Sequence, residues 1–230
     1  MPADTDMPAD DSDLERYLAP GQFTDSDSAA VQDFAARAVG DAADSRQRAV
    51  RLFLAVRDGL RYDPYSISTD PAGYRASALC RAERAWCVPK AVLLTAAARA
   101  AGIPARIGFA DVRNHLHTDR LRERMGGTDV FVYHGYSELW TGDHWVKATP
   151  AFNIELCRRF GVEPLEFDGT SDALFHPYTT DGRRHMEYIR DRGTFFDLPL
   201  EQVLGGLIEA YGPPIVAEAQ VHDRFTTVLP

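Results

Sequence analysis

Trp86-Cys87-Val88-Pro89-Lys90 opens a stretch that runs on through Ala91 to Ala101 with no interior glycine. Ala91, Ala96, Ala97, Ala98, Ala100 and Ala101 are strong helix formers. Pro89 suits the first turn, where its missing N–H leaves nothing unpaired. Gly102 ends the helix and Pro104 keeps it from restarting. Cys87 is thus expected at a helix N-terminus, among unpaired backbone N–H groups and the positive end of the helix dipole. Such a setting lowers a thiol pKa from about 8.5 to roughly 3.5–7.5. Cys87 is therefore the first candidate nucleophile. Cys80 and Cys157 have no comparable setting and read as small buried hydrophobes.

Outward from this helix, local signals give the rest. Upstream, Val31, Phe34, Ala35, Ala38 and Val39 recur at helical spacing between a cap at Thr24 and a stop at Gly40. Val50, Leu52, Phe53, Val56 and Leu60 line a second helix, capped by Ser45 and ended by Asp63-Pro64. Residues 62 to 80 read as a loop. Downstream, Ala105 to Ala110 reads as a short strand, followed by a polar loop over 111 to 129. Val130 to Trp140 and Trp145 to Thr149 form a hairpin around Thr141-Gly142-Asp143-His144. Beyond it, a helix is expected over Ile154 to Phe160, a strand over Leu165 to Asp168 and a helix over Leu200 to Tyr211. His185 to Ile189 is ambiguous between helix and strand.

The hairpin carries geometric information. With Gly142-Asp143 at the turn, Thr141 faces His144 and the residue numbers of facing pairs share a constant sum. His134 then faces Ala151, with Thr149 and Asn153 as diagonal neighbours on the same face. An antiparallel first strand would bring Ala110-Asp111 beside His134. One sheet edge thus gathers Asp111, His134, Thr149 and Asn153, and the Cys87 helix must pack on this sheet.

Composition narrows the function classes. The chain has 230 residues, 45% of them hydrophobic, enough for one large core. A formal net charge of −9 argues against nucleic acid and anionic membrane surfaces as partners. Three cysteines without regular spacing indicate free thiols in a reducing compartment. With no long apolar run and no basic leader, the expected location is cytoplasmic. The expected organisation is an acidic disordered leader over 1–15, a core over 16–160 and an elaboration of the same domain over 161–230. The fold class is α+β, with N-terminal helices and the cysteine-bearing helix packed on a small antiparallel sheet.

Trp86-Cys87 before a helix, Gly102-Ile103-Pro104-Ala105-Arg106 entering a strand, His134-Gly135-Tyr136-Ser137-Glu138 and Trp145-Val146-Lys147-Ala148-Thr149-Pro150 together resemble the transglutaminase-like superfamily, with its papain-like core. The likeness covers roughly residues 45 to 153. It implies Cys87 as nucleophile, His134 as base, and acyl transfer or hydrolysis of an amide through a thioester, with a peptide, protein or small amide or thioester as substrate and no cofactor. The acid that orients the histidine in such enzymes would fall at Thr149, which departs from the pattern. A hydroxyl accepts a hydrogen bond but brings no charge to stabilise an imidazolium. Asn153 could orient the ring as an amide does in Cys-His-Asn proteases, or Asp111 could supply charge from the neighbouring strand; Thr149 ranks just behind these two. Trp86 and Trp145 are candidates to line an acyl-binding groove. The alternatives are a catalytically inactive binding module of the same fold and a metal site using His115, His117 and Asp111 or Asp119.

Overall fold

The computed structural model describes residues 11–115, 118–175, 181–182 and 186–216. In chain order the helices and strands are α1 (Asp11–Arg16), α2 (Ala29–Val39), α3 (Ser45–Gly59), β1 (Arg61–Tyr62), α4 (Ala76–Leu79), β2 (Arg84–Ala85), α5 (Cys87–Ala100), β3 (Ala105–Asn114), α6 (Asp119–Arg124), β4 (Val130–Trp140), β5 (Trp145–Ala148), α7 (Ile154–Phe160), β6 (Met186–Phe195) and α8 (Leu200–Tyr211). Short 3-10 turns occupy Pro71–Tyr74 and Pro213–Val216.

Helix α5 is the centre of the molecule. Every residue from Cys87 to Arg99 is buried, so the helix shows almost no polar face. It packs against α2, α3 and α4 on one side and against β3 and β4 on the other. The sheet is four-stranded and antiparallel, in the order β5-β4-β3-β6. Arg99, near the far end of α5, ties three segments together. Its guanidinium donates to Ala105 O (2.9 Å), Ala19 O (2.9 Å), Thr24 Oγ1 (2.9 Å) and Phe196 O.

The hairpin register is the expected one: Ser137 faces Ala148, Glu138 faces Lys147, Leu139 faces Val146 and Trp140 faces Trp145. The α5, α7 and α8 boundaries also match the local signals. Other expectations are corrected by long-range contacts. Thr24 does not cap α2; Asp197 and Arg99 hold its hydroxyl, and Ser28 accepts from Val31 N instead. Asp44, one residue ahead of Ser45, caps α3 by accepting from Gln47 N (2.8 Å). The 62–80 segment carries a 3-10 turn and α4, pinned by Asp25, which pairs with Arg75 and accepts from Ser77 N. β3 continues to Asn114, and α6 occupies part of the stretch read as loop. Leu165 to Asp168 is not a strand; Arg57 and Arg46 bind its carbonyls at Leu165 and Asp168. The fourth strand is β6 instead. Of the leader, residues 1–10 lie outside the described residues, while Asp11–Arg16 is helical.

Lys90 is fully buried one turn into α5. Its ammonium donates to Arg57 O (2.8 Å) and Leu60 O (2.6 Å), closing the C-terminal end of α3. Burial brings its pKa down to about 7.

Candidate active site

Cys87 is the first residue of α5, and Trp86 ahead of it is extended. The backbone N–H groups of Gly135, Val88 and Cys87 itself favour a thiolate, as does the Lys90 ammonium. Burial outweighs them and pushes the Cys87 thiol up to about 11. The expected depressed pKa is therefore corrected. Helix-end dipoles stabilise a thiolate, but a side chain only 5% exposed loses more hydration than they return. At neutral pH the resting sulfur holds its proton.

The strand facing this sulfur is shaped for close approach. A Cβ on Gly135 would stand 3.0 Å from Val88 Cα, 3.2 Å from its Cγ2 and 3.3 Å from its N. Glycine at this position lets the helix tip lie against β4. His134, one residue earlier, faces Ala110 across the β3–β4 ladder and is itself buried. Between Ala110 and Val112 the register slips by a bulge, and Tyr133 takes φ 54° within it. Among the described residues it is the one non-glycine with positive φ. Bulges of this kind re-aim neighbouring side chains. The strained turn is held from several sides. Asp111 Oδ1 accepts from Tyr133 N (3.1 Å), Arg192 lies over the Tyr133 ring (4.0 Å), and Gln202 reaches its hydroxyl (3.4 Å).

Cys87 and His134 open onto one cavity of ≈ 400 Å³, its mouth included. Trp86 is part of the wall, as expected. Its buried indole N–H lies near the Tyr74 hydroxyl, but outside hydrogen-bond geometry. Tyr62, from β1, forms another part of the wall. Much of the remaining wall comes from segments without a local link to Cys87: Leu121 and Met125 around α6, and Leu207, Tyr211 and Ile215 from the C-terminal segment. The one available signal was the Val203-Leu207-Tyr211 spacing in α8, which marks a buried face but not what it covers.

The three candidates for the orienting group are placed as follows. Asp111 is buried; besides Tyr133 N, its Oδ1 accepts from Arg192 Nε (2.5 Å). Its carboxylate thus fixes the bulge that precedes His134 and is neutralised by a residue of β6. Asn153 is buried ahead of α7, where its Oδ1 accepts from Tyr62 N (3.0 Å) and so fixes a cavity wall. Thr149 is buried just past the end of β5, its backbone N bound to Ala173 O (2.8 Å). Its hydroxyl has no hydrogen-bond partner among the described residues. None of the three belongs to the cavity wall.

Trp145 does not line the cavity. Its ring packs on Tyr17 (5.3 Å) and Trp140 (5.6 Å), with the Arg106 guanidinium over it (4.3 Å). The register explains this: Trp145 faces Trp140 at the turn end of the hairpin, six residues of β4 away from His134. Glu138 is buried as the partner of Arg106 (2.5 Å). Among the described residues, no group of three His, Cys, Asp or Glu side chains could hold a metal ion. His115 pairs with Glu187 (3.4 Å), and His117 lies outside the described residues. Nor is any helix among the described residues long and apolar enough to cross a membrane.

A search of curated proteins returns no match. Among solved structures, a candidate cysteine protease from Cytophaga hutchinsonii is similar at 21% identity and TM-score 0.47, over 61% of this chain and 42% of that one. A candidate protease from Parabacteroides distasonis is similar at 19% identity and TM-score 0.38, over 59% of this chain and 25% of that one. The chain thus spans less than half the length of either. The family model of the transglutaminase-like superfamily matches residues 32–150, more than half of the chain, and that stretch contains Cys87, Gly135, His134 and the helix and strands that carry them: the chain belongs to the transglutaminase-like superfamily.

Proposed function

We propose that this chain is a thiol-dependent enzyme that transfers or hydrolyses an acyl group through a thioester on Cys87, with His134 as general base and acid. The observation that carries this reading is that Cys87 and His134 open onto a single cavity, with the backbone of Gly135 beside the tip of α5. The thiol is protonated at rest, so its proton passes to the imidazole as sulfur attacks the substrate carbonyl. The C–S bond forms and negative charge develops on the carbonyl oxygen, where backbone N–H groups at the α5 tip can stabilise it. When the intermediate collapses, the bond to the leaving amine or thiol breaks and His134 returns the proton to that group. Water or an amine then attacks the thioester and frees the sulfur. The substrate is a peptide, a protein or a small amide or thioester, and the chemistry needs no cofactor.

Asn153, Asp111 and Thr149 enter this proposal as positioning residues. Asn153 holds a cavity wall, Asp111 holds the bulge before His134, and the Thr149 hydroxyl is the one of the three without a competing partner. Intact mass spectrometry with activated acyl esters tests the reading. The expected result is one acyl adduct on Cys87, lost in Cys87→Ala and at least about a hundredfold slower in His134→Ala. Added amine that turns over the adduct identifies an acyltransferase; turnover in water alone identifies a hydrolase. A second reading, a binding module that has kept the fold, draws on the absence of an acid at Thr149. It predicts no adduct at all.

A further inference from the structure

We infer that the cavity beside Cys87 takes the acyl half of the substrate, and that this acyl group is apolar and uncharged. The inference rests on the acyl chemistry proposed above and adds the substrate class. Among the described residues, no Asp, Glu, Lys or Arg lines the cavity. Leu121, Met125, Leu207 and Ile215 form much of the wall, and all four are buried. The polar end of Tyr211 is turned to other use: its hydroxyl accepts from Val132 N (2.6 Å) and donates to Val130 O (2.9 Å). An ionised group entering such a wall would lose its hydration and, past His134, meet no charged side chain among the described residues.

The wall is a built part of the fold. Leu207, Tyr211 and Ile215 lie beyond residue 150, where the superfamily match ends, so the C-terminal segment supplies this chain's own specificity surface. Two features seat it. Tyr211 ties the end of α8 to the backbone of β4, the strand that carries His134. Gly206 lets α8 approach Tyr133; a Cβ there would meet the ring at 2.2 Å.

The test compares p-nitrophenyl esters of acetate, hexanoate and adipate, the last ending in a free carboxylate. In each case sulfur forms the C–S bond, the ester C–O bond breaks, nitrophenolate leaves, and the thiol proton passes to His134. Wild-type protein should acquire the hexanoyl adduct on Cys87 at least about tenfold faster than the adipoyl adduct. Leu207→Lys should reduce that preference by about tenfold or reverse it. Met125→Lys, at the end of α6, should do the same. Equal hexanoyl and adipoyl rates in wild type, or an unchanged preference in a folded lysine variant, would overturn the apolar pocket and leave the thioester chemistry standing. Absence of any Cys87 adduct with all three esters would overturn both.

Discussion

Raising the pH should accelerate alkylation of Cys87 without the early plateau of an activated cysteine. The magnitude follows from the burial of the sulfur. With the thiol at about 11, roughly 0.03% is thiolate at pH 7.5, against about 10% for a thiol at 8.5. Only the thiolate reacts appreciably, so iodoacetamide should modify Cys87 about 300-fold more slowly than an unperturbed thiol at that pH, before any loss of access is counted. Between pH 6 and 9 the rate should climb about tenfold per unit. Peptide mapping by mass spectrometry, with free glutathione as the unperturbed comparison, gives the rate at each pH. A plateau at or below pH 7 would mean that a thiolate already exists at rest. That result would refute both the dominance of burial over the helix-end N–H groups and a His134 that takes the proton only when substrate arrives.

Four further outcomes follow. Lys90 is at about 7 when folded and 10.5 when free, so the folded state binds fewer protons between those values and stability rises with pH there. Between pH 7.5 and 9 the gain should be on the order of 2 kcal/mol, before the raised Cys87 and Cys157 thiols oppose it above about 9. Urea denaturation across that range measures the gain, and Lys90→Met should flatten it; a flat wild-type profile would contradict the lowered pKa of Lys90. Gly135→Ala forces a methyl against Val88 and should cost about 1–3 kcal/mol, lowering Tm by about 2–4 °C for each kcal/mol and slowing Cys87 acylation at least about tenfold. A variant with wild-type Tm and rate would show that the helix tip does not need the glycine. Asp111→Asn removes the charge opposite Arg192 and should cost about 1–3 kcal/mol while lowering the acylation rate with little change in its pH profile. A shifted profile would instead mean that the Asp111 charge acts on the imidazole. Thr149→Val should raise stability slightly or leave it unchanged, since it removes a buried hydroxyl that has no partner among the described residues; a loss above about 1 kcal/mol, read by the same urea titration, would reveal a hydrogen bond there.

What the sequence revealed depended on the range of the deciding interactions. The α5 helix, the β4–β5 register and the bounds of α7 and α8 were legible because alanine content, turn residues and residue spacing act within a few positions. Thr24 misled because its hydroxyl is captured by Asp197 and Arg99, both distant in the chain. β6 was obscured because Glu187, Arg190, Asp191 and Arg192 break the alternation expected of a half-buried strand, and its pairing with β3 slips register twice. Missing β6 also hid the partner of Asp111. At the site, Cys87 could be singled out from its place ahead of the helix and His134 from the superfamily resemblance, and the antiparallel pairing expected of β3 and β4 does set Ala110 opposite His134. The thiol pKa could not be read, because it depends on how much water the fold removes. The cavity wall was equally hidden, since its apolar residues come from α6 and the C-terminal segment, far from Cys87 in the chain.

The most direct test of the central claim is intact mass spectrometry of the full chain after brief exposure to p-nitrophenyl hexanoate at pH 7.5, with the adduct located by peptide mapping. The account predicts one hexanoyl group, on Cys87, formed far more slowly in His134→Ala. Acylation of other residues with Cys87 untouched, or an unchanged rate without the imidazole, would contradict it.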